Sequence, residues 1–162
     1  MADNHLQEWT EKAGLENLRG RLATGDFLVT QANTLLSILL VGIGGGLAYA
    51  VKLADAPNPS PFVGGMVLVT AWLCVVAAVL TSKCIVTRET PMLYNEPKNL
   101  FQPDLKLTLD EVRGFELKNI QGRIEAAKKR NATVATWLDR CRYAAIAAPA
   151  AFILGAVAAA YL

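Results

Sequence analysis

The sequence predicts an all-α integral membrane protein with three transmembrane helices, an N-terminal amphipathic helix, and a long cytoplasmic helix continuous with the last span. Three observations carry that expectation. Charge is gathered in blocks: no charged side chain lies between Asp26 and Lys52, between Asp55 and Lys83, or after Arg142. Each gap is long enough to cross a hydrocarbon core of about 30 Å, which takes about 20 helical residues. Outside the gaps, apolar residues recur at helical spacing, and every proline but Pro149 falls in a connection rather than within a helical run. Three buried helices of a soluble bundle would need more polar cover than this chain supplies.

The first segment, 1–26, reads as a cytoplasmic amphipathic helix. Leu6, Trp9, Ala13, Leu18 and Leu22 share its expected apolar face, and Asn4 with Gln7 resembles a capping box. Glu8, Glu11 and Glu16 stand against Lys12, Arg19 and Arg21, so a basic partner suits this helix better than an anionic membrane surface. The transmembrane hairpin occupies 27–87, with spans at about 27–51 and 62–82. The first run is expected to remain in the mature protein, because a charged helix precedes it and no cleavage site follows. Pro57, Pro59 and Pro61 make the connection between the spans short and stiff.

A proline-rich cytoplasmic loop follows at 88–107, where Pro91, Pro97 and Pro103 are too close together for a helix to develop, and Tyr94 and Phe101 are the expected anchors. Thr108 to Glu111 forms a capping box that opens the cytoplasmic helix, 108–142. Leu117, Ile120, Ile124, Ala127, Asn131, Val134, Leu138 and Cys141 alternate spacings of three and four, the seam of a coiled coil, with Asn131 at a register-fixing position. The seam either packs on the N-terminal helix of the same subunit or joins subunits, in which case Leu117, Ile120, Ile124, Asn131 and Leu138 form the oligomer seam. The last span is 143–162, with Pro149 as a kink. Lys83, Arg88, Arg140 and Arg142 crowd one side of the spans while Lys52 stands alone on the other. The N-terminus is therefore expected in the cytoplasm and the C-terminus in the periplasm of a bacterial inner membrane. Cys74 falls within a span, Cys84 and Cys141 fall near the cytoplasmic interface, where thiols stay reduced, and the three follow no disulfide or zinc spacing.

Catalysis is not expected. The single histidine, His5, sits near a terminus, and no cluster has metal-ligand spacing, so the sequence calls for no catalytic residue, metal or cofactor. The glycines of SILLVGIGGGLAYAV are not a phosphate cradle either. Leu47 stands where a dinucleotide fingerprint needs its third glycine, and no Lys-Ser or Lys-Thr follows as in a P-loop. They read instead as helix-packing residues: Gly42, Gly46 and Ala50 form one small-residue ridge, and Ala147, Ala151 and Gly155 another in the last span. Thr30, Asn33, Thr34 and Ser37 bring polar groups into the cytoplasmic half of the first span. Three helices cannot enclose an aqueous channel, so these residues would line a pore only in a homo-oligomer. Arg123 with the run Lys128, Lys129 and Arg130 is the expected site for a phosphate-bearing nucleotide ligand, with a solvated charged face as the plainer reading.

The order of entry helix, hairpin of spans, loop with Asn99-Leu100-Phe101, basic helix and last span resembles the small transmembrane effectors of bacterial nucleotide-signalled anti-phage defence, those of the Pycsar type. QANTLLSILL after the entry helix and KNLF after the second span carry the resemblance in character. It implies that a neighbour-encoded cyclase or nucleotidyltransferase makes a nucleotide or oligonucleotide signal, and that the effector then permeabilises the inner membrane. Two other classes answer to the same layout. One is a phage holin-like lysis protein, and the other a non-conducting membrane adaptor that anchors a soluble partner.

Overall fold

The computed structural model describes residues 2–55, 60–86, 91–96 and 107–161, with side chains from His5 onward in the first helix. Pro57, Pro59, Arg88, Pro97, Pro103, Phe101, the Asn99–Phe101 motif, the Asn4 cap and Leu162 lie outside what is described. Among the described residues the secondary structure is helical, with no strand. Helix α1 runs Ala2–Ala54, α2 runs Phe62–Leu80 and passes into a π-helical turn Thr81–Ile85, α3 runs Leu109–Ile146, and α4 runs Ala148–Tyr161. Two helices are long and apolar enough to cross a membrane, His5–Ala54 and Phe62–Ile85; the pair α3 and α4, bent by 43°, makes a third if it counts as one span.

The expected entry helix and first span are one uninterrupted helix, since Gly20 and Gly25 weaken the backbone locally without removing a hydrogen bond, and no proline intervenes. The expected continuity of the cytoplasmic helix with the last span is corrected in the opposite sense. α3 ends at Ile146 and the chain turns at Ala147. Pro149 has no N–H for an internal helical bond, but in the first turn of α4 that donor is not required. Ala147 accepts from the Ala150 and Ala151 N–H groups to start the new helix.

The chain forms two compact units. The first comprises Met1–Phe27 and Thr87–Thr133, the second Leu28–Val86 and Val134–Leu162. In the first unit α1 and α3 run parallel: Glu8 pairs with Arg113, Gly14 meets Ile120, and Gly25 meets Asn131. The buried positions explain the fit. On α1, Leu18, Gly25, Ala32, Leu39 and Gly46 recur at seven-residue intervals, and on α3 so do Ile120, Ala127, Val134 and Cys141. A seven-residue repeat is the signature of a coiled coil, and within the first unit Gly14 and Gly25 are the small residues that let Ile120 and Asn131 of α3 approach α1. Asn131 donates its side-chain N–H to the Arg21 carbonyl at 2.7 Å, close to the Gly25 Cα. Ile120 and Asn131 of the expected oligomer seam are thus taken up within the chain. Leu117 and Ile124 are half-buried, and Leu138 joins the core of the second unit. The expected apolar face of the entry helix is also corrected, since Leu6, Trp9 and Ala13 are exposed and it is the Gly14, Leu18, Gly25 side that packs. The seam follows the heptad, in which small residues serve as well as large ones when the partner helix supplies the bulk.

The core of the second unit is formed by Ala32, Leu39, Val76, Ala77, Leu80, Cys84, Val134, Leu138 and Cys141. α2 crosses α4 with the backbones nearly touching: a Cβ on Gly155 would stand 2.6 Å from the Gly64 carbonyl oxygen, and one on Gly65 2.8 Å from the Phe152 carbonyl oxygen. Such close approach is how helices associate where lipid offers no hydrophobic drive. The Trp72 indole N–H donates to the Ala144 carbonyl at 2.8 Å, one of the last-turn acceptors that the end of α3 leaves open.

Candidate functional site: a polar stripe on the first apolar helix and a charged cavity

The two sides of the apolar half of α1 differ in their partners. On the packed side, Gly42 faces Leu73 of α2 while staying exposed, and Gly46 lies against the Thr70 hydroxyl; Gly46 and Ala50 are buried. Thr70 is itself buried and donates to the Met66 carbonyl at 2.7 Å, which places its oxygen in the groove left by Gly46. In the other expected ridge Gly155 is buried against Gly64, Ala151 is half-buried, and Ala147 is exposed at the bend.

The opposite side carries Thr30, Asn33, Thr34, Ser37, Val41, Gly44, Gly45 and Ala48, which succeed one another at steps of one, three and four residues and are all exposed. The expected pore-lining residues are therefore brought onto one face, and that face continues into glycine: a Cβ added at Gly44 or Gly45 meets no atom within 4 Å. The hydroxyls on the stripe are already committed as donors. Thr34 donates to the Thr30 carbonyl at 3.1 Å and Ser37 to the Asn33 carbonyl at 3.0 Å, the back-bonds by which such residues are tolerated in apolar helices. Each still turns acceptor lone pairs outward.

Two side-chain amides sit close together in this stretch and are treated differently. Gln31 is half-buried and accepts from the Arg142 guanidinium, which also binds Asp139 at 3.2 Å. Asn33 is exposed, and its amide has no hydrogen-bond partner among the described residues. In hydrocarbon an unsatisfied amide costs several kcal/mol, so a helix carrying one there requires a second helix or water beside it.

The expected nucleotide residues are not brought together. Arg123 is half-buried and binds Glu116 at 3.1 Å and the Leu93 carbonyl at 3.2 Å, so its guanidinium is spent on fastening residues 91–96 to α3. Lys128 and Lys129 are exposed beyond buried Ala127, Arg130 is half-buried and already engaged, and none of the four lines a described cavity. Consecutive residues on a helix point in directions about 100° apart, so a sequence run of cations is not a cluster in space.

The first unit instead has an open cavity of about 380 Å³ lined by Glu8, Glu11, Lys12, Leu15, Glu16, Arg19, Tyr94 and Arg113. Its charge is mixed. Arg113 leans toward Glu8 at 3.8 Å, a loose pair that solvent screens, while Lys12 and Arg19 form no ion pair among the described residues. Tyr94 supplies a flat aromatic surface at the rim and is held in place by its neighbours: Leu93 through Arg123, and Asn95, which donates to Glu116 at 3.1 Å. Sequence reasoning marked Tyr94 as an anchor but not this cavity, whose cations are spread over α1 and α3 and separated by carboxylates. Among the described residues no group of three His, Cys, Asp or Glu could hold a metal ion.

Comparison of the chain with protein-family models, with curated proteins and with solved structures finds no match.

Proposed function

We propose that this chain is an oligomeric inner-membrane effector that forms a channel or pore, gated by a nucleotide or oligonucleotide at its cytoplasmic face in anti-phage defence. The observation that carries the reading is the stripe from Thr30 to Ala48, with an unsatisfied amide at Asn33 and two open glycines, on a helix apolar enough to cross a membrane. Its own chain leaves this stripe uncovered, and lipid is a poor neighbour for an amide. Copies of the chain arranged about a central axis would cover the glycines with neighbouring backbone and give Asn33, Thr34 and Ser37 water.

In this arrangement the N-terminus lies in the cytoplasm and the C-terminus in the periplasm, as the distribution of Lys and Arg favours. The ligand site is the cavity of the first unit, with Lys12, Arg19 and Arg113 for phosphate, Tyr94 for stacking on a base, and the carboxylates for sugar hydroxyls or base N–H groups. Arg123 and Lys128 to Arg130 do not line this cavity. A ligand opens or closes the assembly according to which state it binds better.

The test is ion flux from liposomes containing the purified protein, with and without cyclic mononucleotides and cyclic oligonucleotides. Ligand-dependent flux is expected, and it should lose its ligand dependence in the Lys12→Glu, Arg19→Glu double variant. A stable monomer that conducts nothing in any of these conditions would contradict the proposal.

A further inference from the structure

Apart from the stripe and the charged cavity, the second unit has a groove that neither uses. It measures about 210 Å³ and is lined by Trp72, Val75, Val76 and Val79 of α2 and by Trp137, Arg140, Cys141 and Ala144 of α3. Apart from Arg140 its lining is apolar or aromatic. The valines repeat along one side of α2 from Trp72 to Val79, a length of about 10 Å at 1.5 Å per residue. Val75 is exposed, so the groove opens laterally rather than into the core.

Two cations stand at the end of this groove. The Arg140 guanidinium lies 4.9 Å from the centre of the Trp137 ring and the Lys83 ammonium 5.5 Å from it, so one indole holds both. Lys83 belongs to the π-helical turn that continues α2 past Leu80. Neither cation forms an ion pair among the described residues. Each cation thus has an aromatic ring beside it but no carboxylate among the described residues, and a phosphate would supply the missing counter-charge.

We infer that this groove binds an anionic phospholipid, with an acyl chain along Trp72, Val75 and Val79 and the headgroup phosphate at Lys83 and Arg140. Each part has its matching chemistry: hydrocarbon on the valines, an indole at the depth where Trp concentrates in bilayers, and two cations at headgroup level. The Trp72 indole N–H is already bonded to the Ala144 carbonyl, so the ring presents its apolar body to the groove without an unmet donor. The site rests on the spans lying in a bilayer.

The experiment is tryptophan quenching in vesicles by lipids brominated on the acyl chain, using a Trp9→Phe variant so that emission comes from Trp72 and Trp137 alone. Brominated phosphatidylglycerol is compared with brominated phosphatidylcholine at equal mole fraction, each normalised to its unbrominated counterpart. Stronger quenching by the anionic lipid is expected. Its preference should fall by about fivefold for each cation removed in Lys83→Gln and Arg140→Gln. Val75→Phe, which fills the groove, keeps the cations and adds no tryptophan, should reduce the preference as well. Soluble glycerol 3-phosphate at millimolar concentration should not displace the lipid. Equal quenching by the two lipids, or displacement by the soluble phosphate, would overturn the assignment. Failure of both lipids to quench would show instead that the helices do not insert, which separates this inference from the reading it rests on.

Discussion

Glycine does opposite work on the two sides of α1 and at the crossing of α2 with α4. Gly46, Gly64, Gly65 and Gly155 are filled positions, each with another helix where its side chain would be; Gly44 and Gly45 are empty ones. In sequence the four glycines of GIGGG look equivalent. The filled glycines show that the chain has used close approach to satisfy itself along one face, and the empty ones mark the face on which it has not.

The largest effect is expected where the filled side is tightest. Gly155→Val would drive a branched side chain into the Gly64 backbone and should destabilise the second unit by about 3 kcal/mol, read as loss of cooperative thermal unfolding in detergent. Gly46→Ile should cost about 2 kcal/mol by collision with Thr70, while Gly44→Ile should leave unfolding within about 0.5 kcal/mol of the parent chain. The same Gly44→Ile variant should lower the recovery of oligomer. If Gly44→Ile unfolds the monomer, the two faces are not different in the way described. Next in size, Asn33→Leu should leave the monomer intact and weaken association by about 1 kcal/mol per contact, seen as a dilution-dependent shift to monomer in analytical ultracentrifugation.

The smallest effect lies in the other unit, at the start of α3. The Thr108 backbone N–H, helped by its hydroxyl, hydrogen-bonds Glu111 and holds that carboxyl below the usual carboxylate range. A depressed folded pKa means that the cap contributes fully above the unfolded carboxylate value and is lost as pH falls through the lower, folded value. Helicity should therefore fall slightly between about pH 5 and pH 3, by an amount that Glu111→Gln removes, with circular dichroism as the readout.

How much of this could be read from the sequence depends on how local the signal is. The capping box at Thr108 and Glu111, the seam of α3 and a break near Pro149 each rest on a few neighbouring residues, and each has its counterpart in the fold. The heptad of α1 was hidden because three of its buried positions, Gly25, Ala32 and Gly46, have almost no side chain, whereas Leu6, Trp9 and Ala13 look like a face and are exposed. Gly64 and Gly65 carry no local signal, because their partners lie on a helix far along the chain. The four cations of the expected ligand site are not gathered in space, because Arg123 has an internal carboxylate and carbonyl and adjacent cations at Lys128 and Lys129 diverge around the helix. The polar stripe was legible in part, since Thr30, Asn33, Thr34 and Ser37 sit at helical spacing in an apolar run. Its continuation through Gly44 and Gly45 needed the position of α2.

The central claim is that water reaches this stripe in the assembled protein. It is tested most directly by ion flux through Ser37→Cys, in a background where Cys74, Cys84 and Cys141 are replaced by alanine, before and after a cationic membrane-impermeant thiol reagent. The account predicts that the reagent labels Ser37→Cys and sharply reduces flux. Flux that persists at full rate through fully labelled protein would contradict it.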